Sequence, residues 1–272
     1  MSAFASASAL RRVEEGGSLR FEGCIPDGWQ QGKGAFGGLV IGVLARALVA
    51  AEPDPSRALR ALNADLLLAA QPGAVDVEVS VLRRGGNVSF LEARLSQGGQ
   101  LFARAGGTLA SARPIGPSPI VGALPLPPLD APGPWADAPV LPIEAPLGPI
   151  FAKHYEYRSR GPLPFSGGTR PFATGWIRER TPPEVLDEAH VIGLLDAWWP
   201  TTLAIDTHPR ATVTVGYTAQ LVKPPRDLDP AAPLFYRAHG IGGGDNYFVE
   251  LRELWSGGEV VALNQQTFAI LT

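Results

Sequence analysis

The carboxylate best placed to do chemistry in this sequence is Asp196, which has Ile192, Leu194, Leu195, Ala197, Trp198 and Trp199 around it. A carboxylate in so apolar a helical segment is costly unless it is hydrogen-bonded, and burial would raise its pKa toward the range of a working general base. The alternative is that Asp196 lies on the polar edge of its helix and meets only solvent. Other chemistries are less well supported. No Gly-x-Ser-x-Gly elbow occurs, because Pro164 stands where Ser166 would need its first glycine, so a serine nucleophile is disfavoured. His154, His190, His208 and His239 are spread without ligand spacing and read as surface or packing residues. The single Cys24 leaves no thiol-rich metal site and no internal disulfide, so neither a metal nor a cofactor is expected. Gly32-x-Gly34-x-x-Gly37 matches a dinucleotide fingerprint formally, but without the preceding apolar strand or the βαβ context. These glycines lead into a helix whose free N–H groups could hold a developing oxyanion, with Gly37 and Gly38 letting a substrate carbonyl approach closely. They would serve a tight strand-to-helix turn equally well.

Two helices must position these groups. Leu39 to Ala51 is apolar over most of its circumference and stops at Glu52-Pro53, which reads as a helix buried on nearly all sides. Pro183 to Trp199 is expected as a second helix, ended by Pro200. Strand signals follow the first helix at 74–82, 90–96 and 101–110, with turns at Arg84–Asn87 and Gln97–Gln100. Further strands are expected at 155–157, 173–179, 211–222, 234–240, 247–255 and 260–271, with Gly240 to Asp245 as a hairpin loop. One helix followed by a meander is an α+β pattern and points to antiparallel sheet.

That pattern occurs twice. Val40–Leu44 aligns with Val191–Leu195 at a spacing of 151, and residues 79–110 align with 238–269 at a spacing of 159, with eight identities in thirty-two. Glycine matches in turns are shared by any two hairpins, but the remainder exceeds the chance rate of roughly one in sixteen, and the order of elements agrees independently. Between the copies, residues 114–149 contain twelve prolines and no periodicity, which reads as an extended surface linker. The expected organisation is therefore 1–112, a linker over 113–149, and 150–272. At Asp196 the first copy has Ala45, and at Gln266 it has Gly107. Its match to Thr214 is Leu62, on the strength of the Pro72/Pro224 identity.

Composition limits the partners. Gly 32 and Pro 27 disfavour a helical bundle, while 45% hydrophobic and 18% charged residues read as a soluble globular chain. A net charge of −3 with scattered basic residues gives no footprint for nucleic acid. The longest apolar stretch, Ala35 to Ala51, carries Arg46 and is too short to span a bilayer, and the N-terminus lacks the order of a signal peptide. A cytoplasmic location without membrane partners is the expectation.

The segments Gly32–Leu48, Leu194–Pro200, Thr214–Pro224 and Asn246–Leu271 together resemble the bacterial acyl-CoA thioesterase II family and its wider thioesterase-like relatives. The resemblance covers about residues 15–112 and 150–272. It implies a double hot dog, two tandem curved antiparallel sheets each wrapping one long helix, and hydrolysis of an acyl-CoA substrate. A homodimer of such units is compatible with it. Carried over residue by residue, it implies Asp196, Thr214 and Gln266 as the catalytic trio, all in the second half. Gln265 is adjacent to Gln266, but strand alternation sends only one of the two inward. A register slip by an even number would exchange Thr214 for Thr212 or Thr218. Such a trio suits the task, since a carboxylate can take a proton from water while a hydroxyl and a carboxamide fix its orientation. Two other readings remain open: a module that binds acyl thioesters without hydrolysing them, and an enoyl-thioester hydratase or dehydratase. The latter would need an acid paired with a histidine, and His190 lies about 240° round the helix from Asp196.

Overall fold

The computed structural model describes residues 1–13, 19–113, 133–143 and 145–271. A short helix, α1 (Ala3–Ala7), precedes β1 (Leu10–Val13) and β2 (Leu19–Ile25). The two-residue strands β3 (Gln30–Gln31) and β4 (Gly34–Ala35) lead into α2 (Gly37–Ala51), followed by β5 (Arg57–Leu66), β6 (Gly73–Arg84), β7 (Val88–Gln97) and β8 (Gln100–Ser111). The second half contains β9 (Val140–Leu141), β10 (Tyr155–Ser159), β11 (Phe172–Glu179) and α3 (Glu188–Asp196). It closes with β12 (Thr212–Leu221), β13 (Leu234–Gly244), β14 (Tyr247–Ser256) and β15 (Glu259–Ile270).

Among the described residues, thirteen strands form one antiparallel sheet in the order β1-β2-β6-β7-β8-β5-β12-β15-β14-β13-β11-β10-β9. Helix α2 packs on β5 to β8, α3 packs on β14 and β15, and the two helices pack on each other. Gly42 of α2 and Gly193 of α3, 151 positions apart, both leave room for the ring of Phe4. The Phe4 ring lies 2.7 Å from where a Cβ on Gly42 would stand and 2.6 Å from where one on Gly193 would stand.

The internal repeat is present in the irregularities as well as the order. Register shifts at Val81/Arg83, Leu95/Ser96 and Leu59/Ala61 recur at Gly240/Gly242, Leu254/Trp255 and Thr214/Gly216. The halves join where β5 pairs with β12. At the middle of that seam Asn63 faces Thr218, with Leu62 opposite Ala219 and Ala64 opposite Tyr217. Asn63 and Thr218 are equivalent positions of the two copies, so a pseudo-two-fold axis passes between them.

Several expectations need correction. The second helix spans only Glu188–Asp196, since Asp187 caps it and the chain from Pro183 approaches extended. Strand β5 and the N-terminal elements were not anticipated; RALRALNADL is rich in helix formers, and pairing on both edges overrides that propensity. Gly240–Gly244 continue β13, and the hairpin turn is Asp245-Asn246, both at positive φ, as a two-residue primed turn requires. The described part of the proline-rich stretch is not free. β9 pairs with β10, and the Arg158 guanidinium lies 4.3 Å over the Trp135 ring.

Candidate active site

Asp196 is the last residue of α3 and is buried. Its Oδ1 accepts a hydrogen bond from Gln266 Nε2 at 2.7 Å. Gln266 Oε1 in turn accepts from Thr214 Oγ1 at 3.2 Å, which fixes the carboxamide's orientation. The three residues expected from the sequence thus form one connected chain of side chains from two strands and a helix end. Gln265 is exposed on the other face of β15, so alternation selects Gln266.

Thr214 reaches the site because of the bulge. Tyr217 and Ala219 point into the core, and unbroken alternation would turn Val215 inward and Thr214 outward. The extra residue between Thr214 and Gly216 reverses this, leaving Val215 exposed and Thr214 aimed at Gln266. The same bulge in the first half turns Leu59 into the core. Leu59, not Leu62, is therefore the counterpart of Thr214; Leu62 corresponds to Tyr217.

The start of α2 comes from the other half. A Cβ on Gly37 would lie 3.0 Å from Asp196 Oδ2, and one on Gly38 would lie 2.9 Å from Asp196 Cβ and 2.5 Å from the Phe36 ring. The Gly38 backbone N–H faces the Asp196 carboxylate and favours its charged form. Helix α2 has no side-chain cap of its own at Phe36, so Asp196 supplies an anion to its positive end. Gly37 and Gly38 thus meet the predicted base directly, and the absent side chains make that approach feasible.

Two further residues were not anticipated. Arg252 Nη1 donates to the carbonyl oxygens of Leu195 (3.0 Å) and Asp196 (3.3 Å), and lies 3.6 Å from Asp196 Oδ1. Glu250 Oε1 accepts from Arg252 Nε at 2.5 Å, and its Oε2 accepts from both the N–H and the hydroxyl of Thr201 at 2.7 Å. The available signal was the alternation Phe248, Glu250, Arg252, Leu254, which places two opposite charges on the inward face of β14. Burial raises the pKa of Asp196, opposed by the Arg252 cation, the Gln266 amide and the Gly38 N–H.

His190 is neither a surface residue nor near the base. It is buried at the opposite end of α3, where Nδ1 donates to Asp187 Oδ1 at 2.6 Å and the ring Nε2 stands 3.4 Å from Ser2 Oγ. Trp198 is buried, stacked on Tyr236 at 4.8 Å between ring centres. Among the described residues no group of three His, Cys, Asp or Glu could hold a metal ion, and no helix is long and apolar enough to cross a membrane.

Family models match both halves of the chain: the acyl-CoA thioesterase N-terminal domain over residues 25–110 and the C-terminal domain over 125–270. The chain belongs to the acyl-CoA thioesterase family. Among solved structures, a hot dog fold protein of unknown function from Alicyclobacillus acidocaldarius is 22% identical with a TM-score of 0.86, covering 100% of this chain and 99% of its own. The acyl-CoA thioesterase II TesB2 of Mycobacterium marinum is 18% identical with a TM-score of 0.77, covering 99% and 98%. The tesB protein of Mycobacterium avium subs paratuberculosis is 16% identical with a TM-score of 0.75, also covering 99% and 98%. At these identities the likeness is one of fold, and that fold is the hot dog. No curated protein matches the chain. The resemblance carried by the four segments is thus a family membership, shown by domain models over both halves.

Proposed function

We propose that this chain is an acyl-CoA thioesterase, built as a double hot dog over residues 1–112 and 150–272 with the 113–149 linker between them, and that it acts in the cytoplasm. It hydrolyses the thioester to a free acid and CoA at one centre per chain. The observation that carries this reading is the continuous hydrogen-bonded chain Thr214–Gln266–Asp196, present in one half and replaced by Leu59, Gly107 and Ala45 in the other. Polar groups required only by the fold would be needed in both halves.

Asp196 acts as general base, taking a proton from water as its oxygen bonds to the thioester carbonyl carbon. The C–S bond then breaks, and the proton passes to the departing CoA sulfur. Thr214 and Gln266 orient the water and the base, and the amides at the start of α2, Gly37 first among them, face the oxyanion. The position of His190 at the far end of α3, about 9 Å along the helix by rise per residue, argues against the paired acid and histidine of a hydratase.

The test is Asp196→Asn assayed for free-CoA release across short, medium, long and aromatic acyl-CoAs. Loss of about 100-fold or more in kcat is expected. Wild-type turnover in the variant would remove Asp196 as base. Wild-type protein that binds acyl-CoA with no turnover on any member would instead indicate a binding module.

A further inference from the structure

We propose that Arg252, locked in place by Glu250, is a positioning residue for the reaction: it fixes the end of α3 and holds Asp196 in its carboxylate form. The inference rests on Asp196 being the base.

The arrangement is unusual for a pair that serves stability alone. Arg252 and Glu250 are 1% and 0% exposed. A buried ion pair seldom outperforms apolar residues of similar size, because desolvation offsets the attraction. This fold contains its own control. The register of β14 on β15 repeats that of β7 on β8, so Glu250 opposite Gln266 matches Leu91 opposite Gly107, and Arg252 opposite Asn264 matches Ala93 opposite Ala105. Leu91, Ala93 and Ala105 fill the first-half positions with the strand pairing unchanged. The strands do not require the charges; the half that has them is the half with Asp196.

The geometry says what the charges do. Both oxygens of Glu250 are committed, one to Arg252 and one to the backbone and side chain of Thr201, just beyond Pro200. Arg252 is thereby held with Nη1 against the last carbonyls of α3 and 3.6 Å from the Asp196 carboxylate. It also lies 5.3 Å from the centre of the Phe268 ring, which seats the guanidinium plane from the β15 side.

Groups facing Asp196 come from every neighbouring element. They are Arg252 and Glu250 of β14, Gln266 of β15, the Gly38 N–H of α2, Tyr155 and Tyr157 of β10, Tyr217 of β12, and Tyr236 of β13. Burial holds all four tyrosines well above their ordinary range, so they stay neutral. Among these groups Arg252 is the cation. Without it, desolvation and the Glu250 charge would be opposed only by the Gln266 amide and the Gly38 N–H, and Asp196 would shift toward its protonated, inactive form. Glu250 acts on Asp196 in the opposite sense, which makes the pair separable by experiment.

The experiment is the pH profile of kcat/KM for wild type, Arg252→Met, Arg252→Lys, Glu250→Gln and the double variant R252M/E250Q, with folding checked by circular dichroism. Arg252→Met should move the acid limb upward by about one pH unit or more. Glu250→Gln should move it downward, and Arg252→Lys should restore it toward wild type. The double variant removes both charges of the pair and so leaves neither of those two side chains charged and partnerless, which lets it report even where a single change fails to fold; its limb is expected above that of wild type. Limbs that stay at the wild-type position, or that move the same way in both single variants, would overturn the proposal. If Asp196→Asn abolishes turnover while the Arg252 variants leave the limb in place, this inference fails and the thioesterase reading stands. If Asp196→Asn is fully active, the reading beneath it fails.

Discussion

Gln266 is bound at both ends of its carboxamide, donating to Asp196 at 2.7 Å and accepting from Thr214 at 3.2 Å. The acceptor-only carboxylate selects the Nε2 end of the amide, and Thr214 holds the Oε1 end, so Thr214 steadies the group that meets Asp196 even though it does not touch Asp196 itself.

The first prediction concerns that relay. Thr214→Val removes the donor that orients the amide, and kcat should fall about tenfold, the worth of one well-placed hydrogen bond in the transition state. Thr214→Ser should retain most activity. Gln265→Ala, on the solvent face of the same strand, should be indistinguishable from wild type in free-CoA release. Equal losses at positions 265 and 266 would contradict the register described.

Asp196 links activity and stability to pH with opposite signs. Its pKa is raised by burial, so in the proposed role of base it becomes competent only above the usual aspartate range, and the acid limb of kcat/KM should lie above that range. For folding, the unfolded chain loses this proton first as pH rises. Stability contributed by the protonated carboxyl is complete below the unfolded pKa and is lost as pH climbs through the folded one. Asp196→Asn should therefore melt higher than wild type at pH 7, with the difference shrinking near pH 4. A lower melting temperature at neutral pH would refute this.

Asp187 behaves in the reverse direction. Burial opposes its charge, but the His190 hydrogen bond, the Arg46 cation at 2.7 Å and the His190 backbone N–H overcome that and bring its pKa down to about 2. The stability it contributes is present above the unfolded value and lost as pH falls toward 2. Asp187→Ala should cost on the order of 2 kcal/mol at pH 7 in urea unfolding and progressively less below pH 4.

Gly38 tests the close approach of the two halves. Gly38→Ala would set a methyl against Asp196 Cβ and the Phe36 ring, both within 3 Å. Loss of activity out of proportion to loss of melting temperature is expected, because the displaced atoms include those of the base. Gly86→Ala, in open space, is the control.

Much of this site can be read from the sequence because its parts obey local rules. Asp196 is a charge in an apolar segment, and Gln266 sits at an inward position of an alternating strand. The repeat makes their absence from the first half visible as Ala45 and Gly107. Three things were not legible. The bulge at Val215 leaves no residue signature, so the Pro72/Pro224 identity matches Thr214 to Leu62, when the shared irregularity pairs it with Leu59. Arg252 and Glu250 share one face in the alternation of FVELREL, but Val249 and Leu251 make the other face apolar too, and only the pairing with β15 shows which face is inward. Strand β5 was hidden for a third reason: its composition favours a helix, and only its two neighbours in the sheet make it a strand.

The seam at Asn63 and Thr218 has a further consequence for how the two halves can vary. A slip of one residue there would turn either Leu62 and Ala64 or Tyr217 and Ala219 out of the interior, because the two strands could no longer face inward together. β12 carries Thr214 at one end of the same strand, so the joint between the halves also works as an alignment jig for the reaction centre. Substitutions that loosen the joint would be felt first as lost aim at Gln266, before any loss of cohesion. A half that lacks the Asp, Thr and Gln trio therefore still sets the tolerance to which the other half is assembled.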